Sequence, residues 1–426
     1  MPTSQRLYYE DSFLNTFTAS VTQLRDFAAT GGSALWQVEL DRTAFYPTSG
    51  GQPFDTGTLL LTAPGASPRQ IAVQQVEEDE AGAVWHVIGE PLAPGTVVEG
   101  RIDWDRRFDH MQQHTGQHLL SAVFFRELQM PTVSFHLGEF ASTIDLAGSQ
   151  PSAQSLEQVE RIANRVIFED RPVTVSYAQR EEAEAMQAAG DLRKLPAREG
   201  AIRLIDIADC DRNACGGTHV RSTGQIGALL LRGIEKVSRG VRVEFVCGSR
   251  AVRSARSDAA LLTETRTLLS TGAPELPETV SRLLAQSKAA ARERQKLREE
   301  LALLHAAALA AEEPIENGLR LLVRDWTDRD FDYVKMLASR TAAAAPATAV
   351  VFSAREGDAA RVVVARSSDL DFNCGKILRE ALAQMGLRGG GSADLAQGEV
   401  PIGAKPTLFA AVTEAIRGAG EQTDRP

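Results

Sequence analysis

The chain has 426 residues, a formal net charge of −10, and 43% hydrophobic and 24% charged residues. That is too long for one ordinary core, so two to four domains are expected. No apolar run approaches the roughly 20 residues that cross a bilayer, and Met1-Pro2-Thr3-Ser4-Gln5-Arg6 lacks the apolar stretch of a secretory signal. The four cysteines make no disulfide framework, so the expected location is a reducing cytoplasm, with no membrane partner.

Residues 1–104 read as a small β-barrel. Short alternating runs such as Thr18–Thr22, Leu35–Leu40 and 70–76 are separated by Gly, Pro and Asp, as in closed antiparallel sheets. Residues 77–82 form an acidic hairpin tip before a strand in which His86 is expected to be structural. One stretch departs from ordinary hairpin chemistry: Phe45-Tyr46-Pro47-Thr48-Ser49-Gly50-Gly51-Gln52-Pro53-Phe54-Asp55-Thr56-Gly57. Adjacent glycines let a ligand approach the main chain, and Thr48, Ser49 and Gln52 add short polar groups; a self-capped tight turn reads the same pattern equally well.

Residues 105–256 read as an α+β core. The helix expected at 105–128 carries His114 and His118 one turn apart on one face. A polar cluster around His136 follows, then helices at 155–190 interrupted by a strand at 172–177. The strand at 202–207 precedes Cys215-Gly216-Gly217-Thr218-His219, whose paired glycines suit a turn better than a helix. Three imidazoles and one thiolate are a donor set for tetrahedral zinc. His110, four residues before His114, could compete as a ligand. Net acidity does not exclude RNA, because Arg232, Lys236, Arg239, Arg242, Arg250, Arg253 and Arg256 form a basic stretch able to meet phosphates.

Residues 257–313 read as a helical linker. A heptad-like seam runs from Val280 through Leu283, Leu297, Leu301 and Leu304, interrupted by Ser287 and Arg294, so a long helix or a modest homodimer contact is expected. His305 is expected to be solvated, and Pro314 ends the helix. Residues 314–426 return to α/β, with buried strands at 348–352 and 361–365 and a helix at 376–385. The run Arg388-Gly389-Gly390-Gly391-Ser392 could present backbone amides to an anion, or be a flexible turn. It fits neither the nucleotide P-loop nor the dinucleotide fingerprint.

Residues 45–57, His114-Thr115-Gly116-Gln117-His118-Leu119-Leu120 and Cys215-Gly216-Gly217-Thr218-His219 together resemble the editing domain of alanyl-tRNA synthetases. Free-standing versions form the AlaX family, which hydrolyses mischarged aminoacyl-tRNA in trans. Residues 389–398 resemble the glycine-rich signature of the synthetases' C-terminal domain, which would place tRNA binding in 314–426. The resemblance covers most of the chain and implies the long AlaX form, an α+β multidomain protein. Its expected parts are an N-terminal β-barrel, an editing core with a zinc site, a helical linker and a C-terminal α/β domain. Because the chain starts directly in the barrel, an upstream aminoacylation domain is not expected. Two departures stand out: Thr48-Ser49 occupies positions where many relatives carry an acidic residue and a third glycine, and the C-terminal signature is looser.

By that resemblance His114, His118, Cys215 and His219 map onto the ligands of one Zn2+, and Gln52 onto a glutamine of the active-site loop. The implied substrate is tRNA(Ala) mischarged with serine or glycine, with Ala-tRNA(Ala) spared. Gln52, Thr48 and the Gly50–Gly51 amides are the candidates to orient water or the oxyanion. Thr48 is the candidate partner of the serine hydroxyl, and His136 a candidate acid–base group. Four protein ligands mark structural zinc, so the ion is expected to anchor substrate, and His110 to contact tRNA or a ligand. Three other readings compete: a non-catalytic zinc-stabilised tRNA-binding module, a metal-dependent hydrolase of small esters, and a dimeric scaffold.

Overall fold

The computed structural model describes residues 4–27, 34–61, 67–190, 192, 195 and 200–420. It divides into two compact units, residues 1–265 and 266–426. The first begins with a closed six-stranded barrel, in the order Thr16–Phe27, Leu35–Leu40, Val84–Ile88, Arg69–Glu78, Gly57–Leu61 and Val97–Ile102. Alternation along Thr16–Phe27 sends Phe17, Ala19 and Val21 inward, where they meet Val38, Leu59 and Val98, as a period of two requires. His86 has two polar partners. It is fully buried, Thr43 Oγ1 lies 2.8 Å from its Nε2, and its Nδ1 lies 3.1 Å from Val38 O. Those partners belong to the segments beside its strand, where no local reading of sequence could place them.

A helix, Trp104–Leu128, leads out of the barrel. Asp103 caps it by accepting the Arg106 N–H, and Gln129 ends it in a left-handed conformation. Its residues from His110 to Phe124 are buried, because both faces are covered. On one side lie the helix Ala153–Phe168 and a four-stranded antiparallel sheet, ordered Leu229–Val237, Gly240–Cys247, Ser142–Ala147 and Thr132–Leu137. Gly116 allows the close packing: a Cβ there would overlap the Cys247 sulfur. A three-stranded sheet, Val173–Ala178, Ile202–Ile207 and Asp211–Ala214, delivers the cysteine loop.

Two helices, Gly248–Leu268 and Leu276–Glu312, replace the single helical stretch expected from residue 257; the break falls at Ser270-Thr271-Gly272-Ala273-Pro274, which disfavours helix twice over. In the second unit, Ala302 and Ala306 bury against Phe331, Val334 and Leu337. Leu297, Leu301 and Leu304 of the heptad-like seam are exposed instead. His305 is half-buried, with Nδ1 2.9 Å from the Tyr333 hydroxyl, and is not simply solvated. The sheet of this unit runs Arg320–Trp326, Thr348–Glu356, Ala359–Arg366, Leu395–Pro401 and Gly389–Gly391. Among the described residues no helix is long and apolar enough to cross a membrane.

Candidate metal centre

The long helix presents His114 and His118, and the loop after Asp211–Ala214 presents Cys215 and His219. One ligand atom from each of the four lies within 4.8 Å of all the others. Cys215 Sγ is 3.4 Å from Nε2 of both His114 and His219. Each imidazole is also held by its other nitrogen. His114 Nδ1 donates to Gln52 Oε1 at 2.8 Å, His118 Nδ1 faces Asp211 Oδ2 at 3.4 Å, and His219 Nδ1 meets Thr115 Oγ1 at 3.1 Å. Such partners fix the tautomer and aim Nε2 at the centre, as they do behind metal-bound histidines.

Charge in the cluster is arranged accordingly. Burial alone would raise the Cys215 thiol, but facing His114 and His219, with hydrogen bonds to His114 and His118, holds it well below its ordinary value. Burial opposes charge on His118, yet Asp211 and Cys215 raise it. His219 is lowered, first by burial and then by His114. The sulfur is thus disposed to be a thiolate, the form that binds metal.

The loop backbone is accounted for almost atom by atom. Gly217 N–H points at Cys215 Sγ at 3.4 Å, Thr218 N–H donates to Gln52 Oε1 at 3.0 Å, and His219 N–H reaches Ser12 Oγ at 3.3 Å. Gly217 has to be glycine, since a Cβ would overlap the His114 ring and lie 2.8 Å from Gln52 Oε1.

Gln52 is fully buried. Its oxygen takes the His114 and Thr218 N–H groups, and its amide nitrogen donates to Thr218 Oγ1 at 2.8 Å. With both ends engaged it orients His114 and the loop. The segment around it is anchored by a wholly buried ion pair: Arg107 Nε lies 3.0 Å from both Asp55 carboxylate oxygens, and Asp55 also accepts the Tyr46 N–H at 2.6 Å. Gly51, at φ +84°, leaves room for the Phe135 ring, which packs beside His114 with centroids 5.6 Å apart.

The other residues singled out from sequence are not among the four of the cluster. Thr48 is exposed, its N–H bonded to Val76 O. His136 is exposed too, and strand alternation turns it away from the face on which Phe135 meets His114. His110 falls outside the four-residue cluster. Its Nδ1 is buried without a hydrogen-bond partner, and burial, then Arg106, lowers it to about 3. It lines a cleft of about 650 Å³ with Pro53, Glu139, Arg250 and Arg253.

The basic stretch is partly neutralised: Arg232 pairs with Asp258, Arg242 with Asp145, and Arg250 with Asp109. Asp211 and Arg203 carried no signal in the sequence, whereas Thr115 and Thr218 sat inside the two histidine motifs.

Three family models match the chain. Residues 1–106 match tRNA synthetases class II (A), residues 202–243 the threonyl and alanyl tRNA synthetase second additional domain, and residues 318–418 the DHHA1 domain. Alanine–tRNA ligases of Pyrococcus abyssi, Pyrococcus furiosus and Thermococcus kodakarensis are 32%, 33% and 34% identical to it, each over 94% of this chain. The chain spans 42% of the length of each of these relatives. It is homologous to alanyl-tRNA synthetases and carries domains that resemble their editing and C-terminal parts.

Proposed function

We propose that the chain is a trans-editing hydrolase of the AlaX type, cytoplasmic, that deacylates Ser-tRNA(Ala), and Gly-tRNA(Ala), while sparing Ala-tRNA(Ala). The observation that carries this reading is the Cys/His cluster, with all three imidazoles held from behind by Gln52, Asp211 and Thr115. The residues fit one Zn2+, held by His114, His118, Cys215 and His219; when bound it supplies a Lewis acid beside the scissile ester. Gln52 keeps His114 in register. The exposed Thr48 is the proposed partner of the serine hydroxyl, which a pocket sized for alanine discriminates poorly. The cleft beside His110 receives the acceptor end, and Lys236, Arg239, Arg253 and Arg256 offer charge to tRNA phosphates. The exposed Leu297–Leu301–Leu304 seam is the proposed homodimer contact.

The test is release of serine from Ser-tRNA(Ala), compared with Ala-tRNA(Ala), by wild type and Cys215→Ala, with metal content measured on both. Serine release that vanishes with the metal in the mutant supports the reading. A folded, metal-loaded wild type that releases none overturns it. A non-catalytic tRNA-binding module is the second reading, favoured by the complete set of four protein ligands, which marks structural rather than catalytic zinc. Retained tRNA binding without turnover would select it.

A further inference from the structure

Arg203 lies on the strand Ile202–Ile207, 12 residues upstream of Cys215, and is buried at 7% exposure. Its guanidinium reaches three main-chain oxygens. Nε donates to Tyr9 O at 3.0 Å, and Nη1 donates both to Cys215 O at 2.7 Å and to Gly217 O at 2.9 Å. Its own carbonyl accepts the Cys215 N–H at 3.2 Å. The Tyr9 ring lies under the guanidinium, 5.6 Å from its carbon.

No carboxylate pairs with this cation among the described residues, and Nη2 is buried without any partner. Burying an uncompensated charge and an unpaired donor is costly. A purely structural position would be filled more cheaply by an apolar side chain. What the guanidinium secures is the path of the loop. The two carbonyls it holds flank Gly216, and the same loop carries Cys215 and His219 at its ends. On the far side Gln52 holds the Thr218 N–H and His114 covers Gly217. The turn is therefore clamped between a cation on its carbonyls and an amide oxygen on its N–H.

We propose that Arg203 is a positioning residue for the metal centre: by fixing the Cys215 and Gly217 carbonyls it sets the separation and direction of Cys215 Sγ and His219 Nε2. The assignment rests on the metal-site reading above. It concerns ligand geometry, so metal affinity reports on it without any turnover measurement.

The experiment uses the full-length protein, stripped of metal and titrated with Co2+ and Zn2+. The readouts are the thiolate-to-cobalt charge-transfer band and the Zn2+ Kd by competition with a chromophoric chelator. Thermal unfolding of the metal-free forms is recorded alongside. Arg203→Gln should weaken binding roughly 10–100-fold and shift or bleach the charge-transfer band. Arg203→Lys, which keeps the charge and can reach one carbonyl, should fall between it and wild type. Arg212→Gln, which removes a surface arginine paired with Asp206 from the neighbouring strand, should bind as wild type does.

Should the Gln variant fail to fold, the Lys variant decides. Wild-type band position and Kd in either folded variant overturn the assignment. So does a loss in which metal-free stability falls but the metal is bound with unchanged affinity, because that is a structural role alone. A wild type that takes up neither ion overturns the metal-site reading itself, and this assignment with it.

Discussion

Residues 45–57 and 388–398 are both glycine-rich, yet the two stretches are built in different ways. The first is irregular backbone held by polar partners distant in sequence, Asp55 on Arg107 and Gln52 on His114 and Thr218, with Thr43, just before it, on His86. The second is a sheet edge. Gly389, Gly390 and Gly391 pair in register with Gly398, Gln397 and Ala396, and a Cβ at Gly389 or Gly398 would strike Leu382 of the helix Cys374–Ala383. It is neither a flexible turn nor an open anion cradle. One set of glycines admits a polar site, and the other admits a helix. Runs of glycine report that something comes close to the backbone, but not what.

The difference can be probed by substitution. The largest effect should come from Asp55→Ala, which leaves the Arg107 guanidinium buried at 0% exposure without its carboxylate. Breaking a buried pair on one side costs about 3–5 kcal/mol, read by chemical denaturation. If the loss is below about 1 kcal/mol, the pair does not anchor the first stretch.

Acid should loosen the first stretch and not the second. His86 is neutral and fully buried, and desolvation lowers it from 6.5 to about 4. Between those values the unfolded chain takes up a proton that the folded chain refuses. Stability therefore falls as pH drops from about 6.5 towards 4 and levels off below, by up to about 3 kcal/mol. Through Thr43, whose Oγ1 accepts the Phe45 N–H at 3.1 Å, His86 supports the start of this stretch. Urea melts across that window should show the slope, and His86→Gln should reduce it by this share, the remainder coming from His110 and His219, which are lowered too.

Gly389→Ala should cost about 1–3 kcal/mol by overpacking Leu382, with metal content unchanged. Gly217→Ala should do the converse. Pushing against His114, it should weaken metal binding by roughly tenfold or more, with a smaller loss of stability. Chelator competition and thermal melts on both variants separate the two behaviours; metal loss in Gly389→Ala would erase the distinction.

The smallest effect belongs to Gly50→Ala. Nothing lies within 4 Å of a Cβ there, so only the left-handed backbone, φ +55°, resists. About 1 kcal/mol is expected, and a loss well above that would mean that the turn also carries a contact of its own.

Much of this protein was legible in the sequence because it depends on local pattern. The barrel strands followed from alternation. The helix was read from the flanks of the histidine stretch, the four-residue spacing then put His114 and His118 on one face, and the placement of Cys215-Gly216-Gly217 on a turn followed from glycine's cost in a helix. The donor set itself was a matter of residue type. What the tertiary structure decided was the partner of each donor. Gln52, Thr115 and Asp211 reach the three imidazoles from 62, 104 and 93 residues away, and Arg203 reaches Tyr9 across 194. Hydrogen bonds of that kind leave no period in the chain, because they are set by which strands and helices meet. For the same reason only packing could show that Ala302 and Ala306 face the core while Leu301 and Leu304 face solvent, and that the Gln52 amide is engaged at both ends.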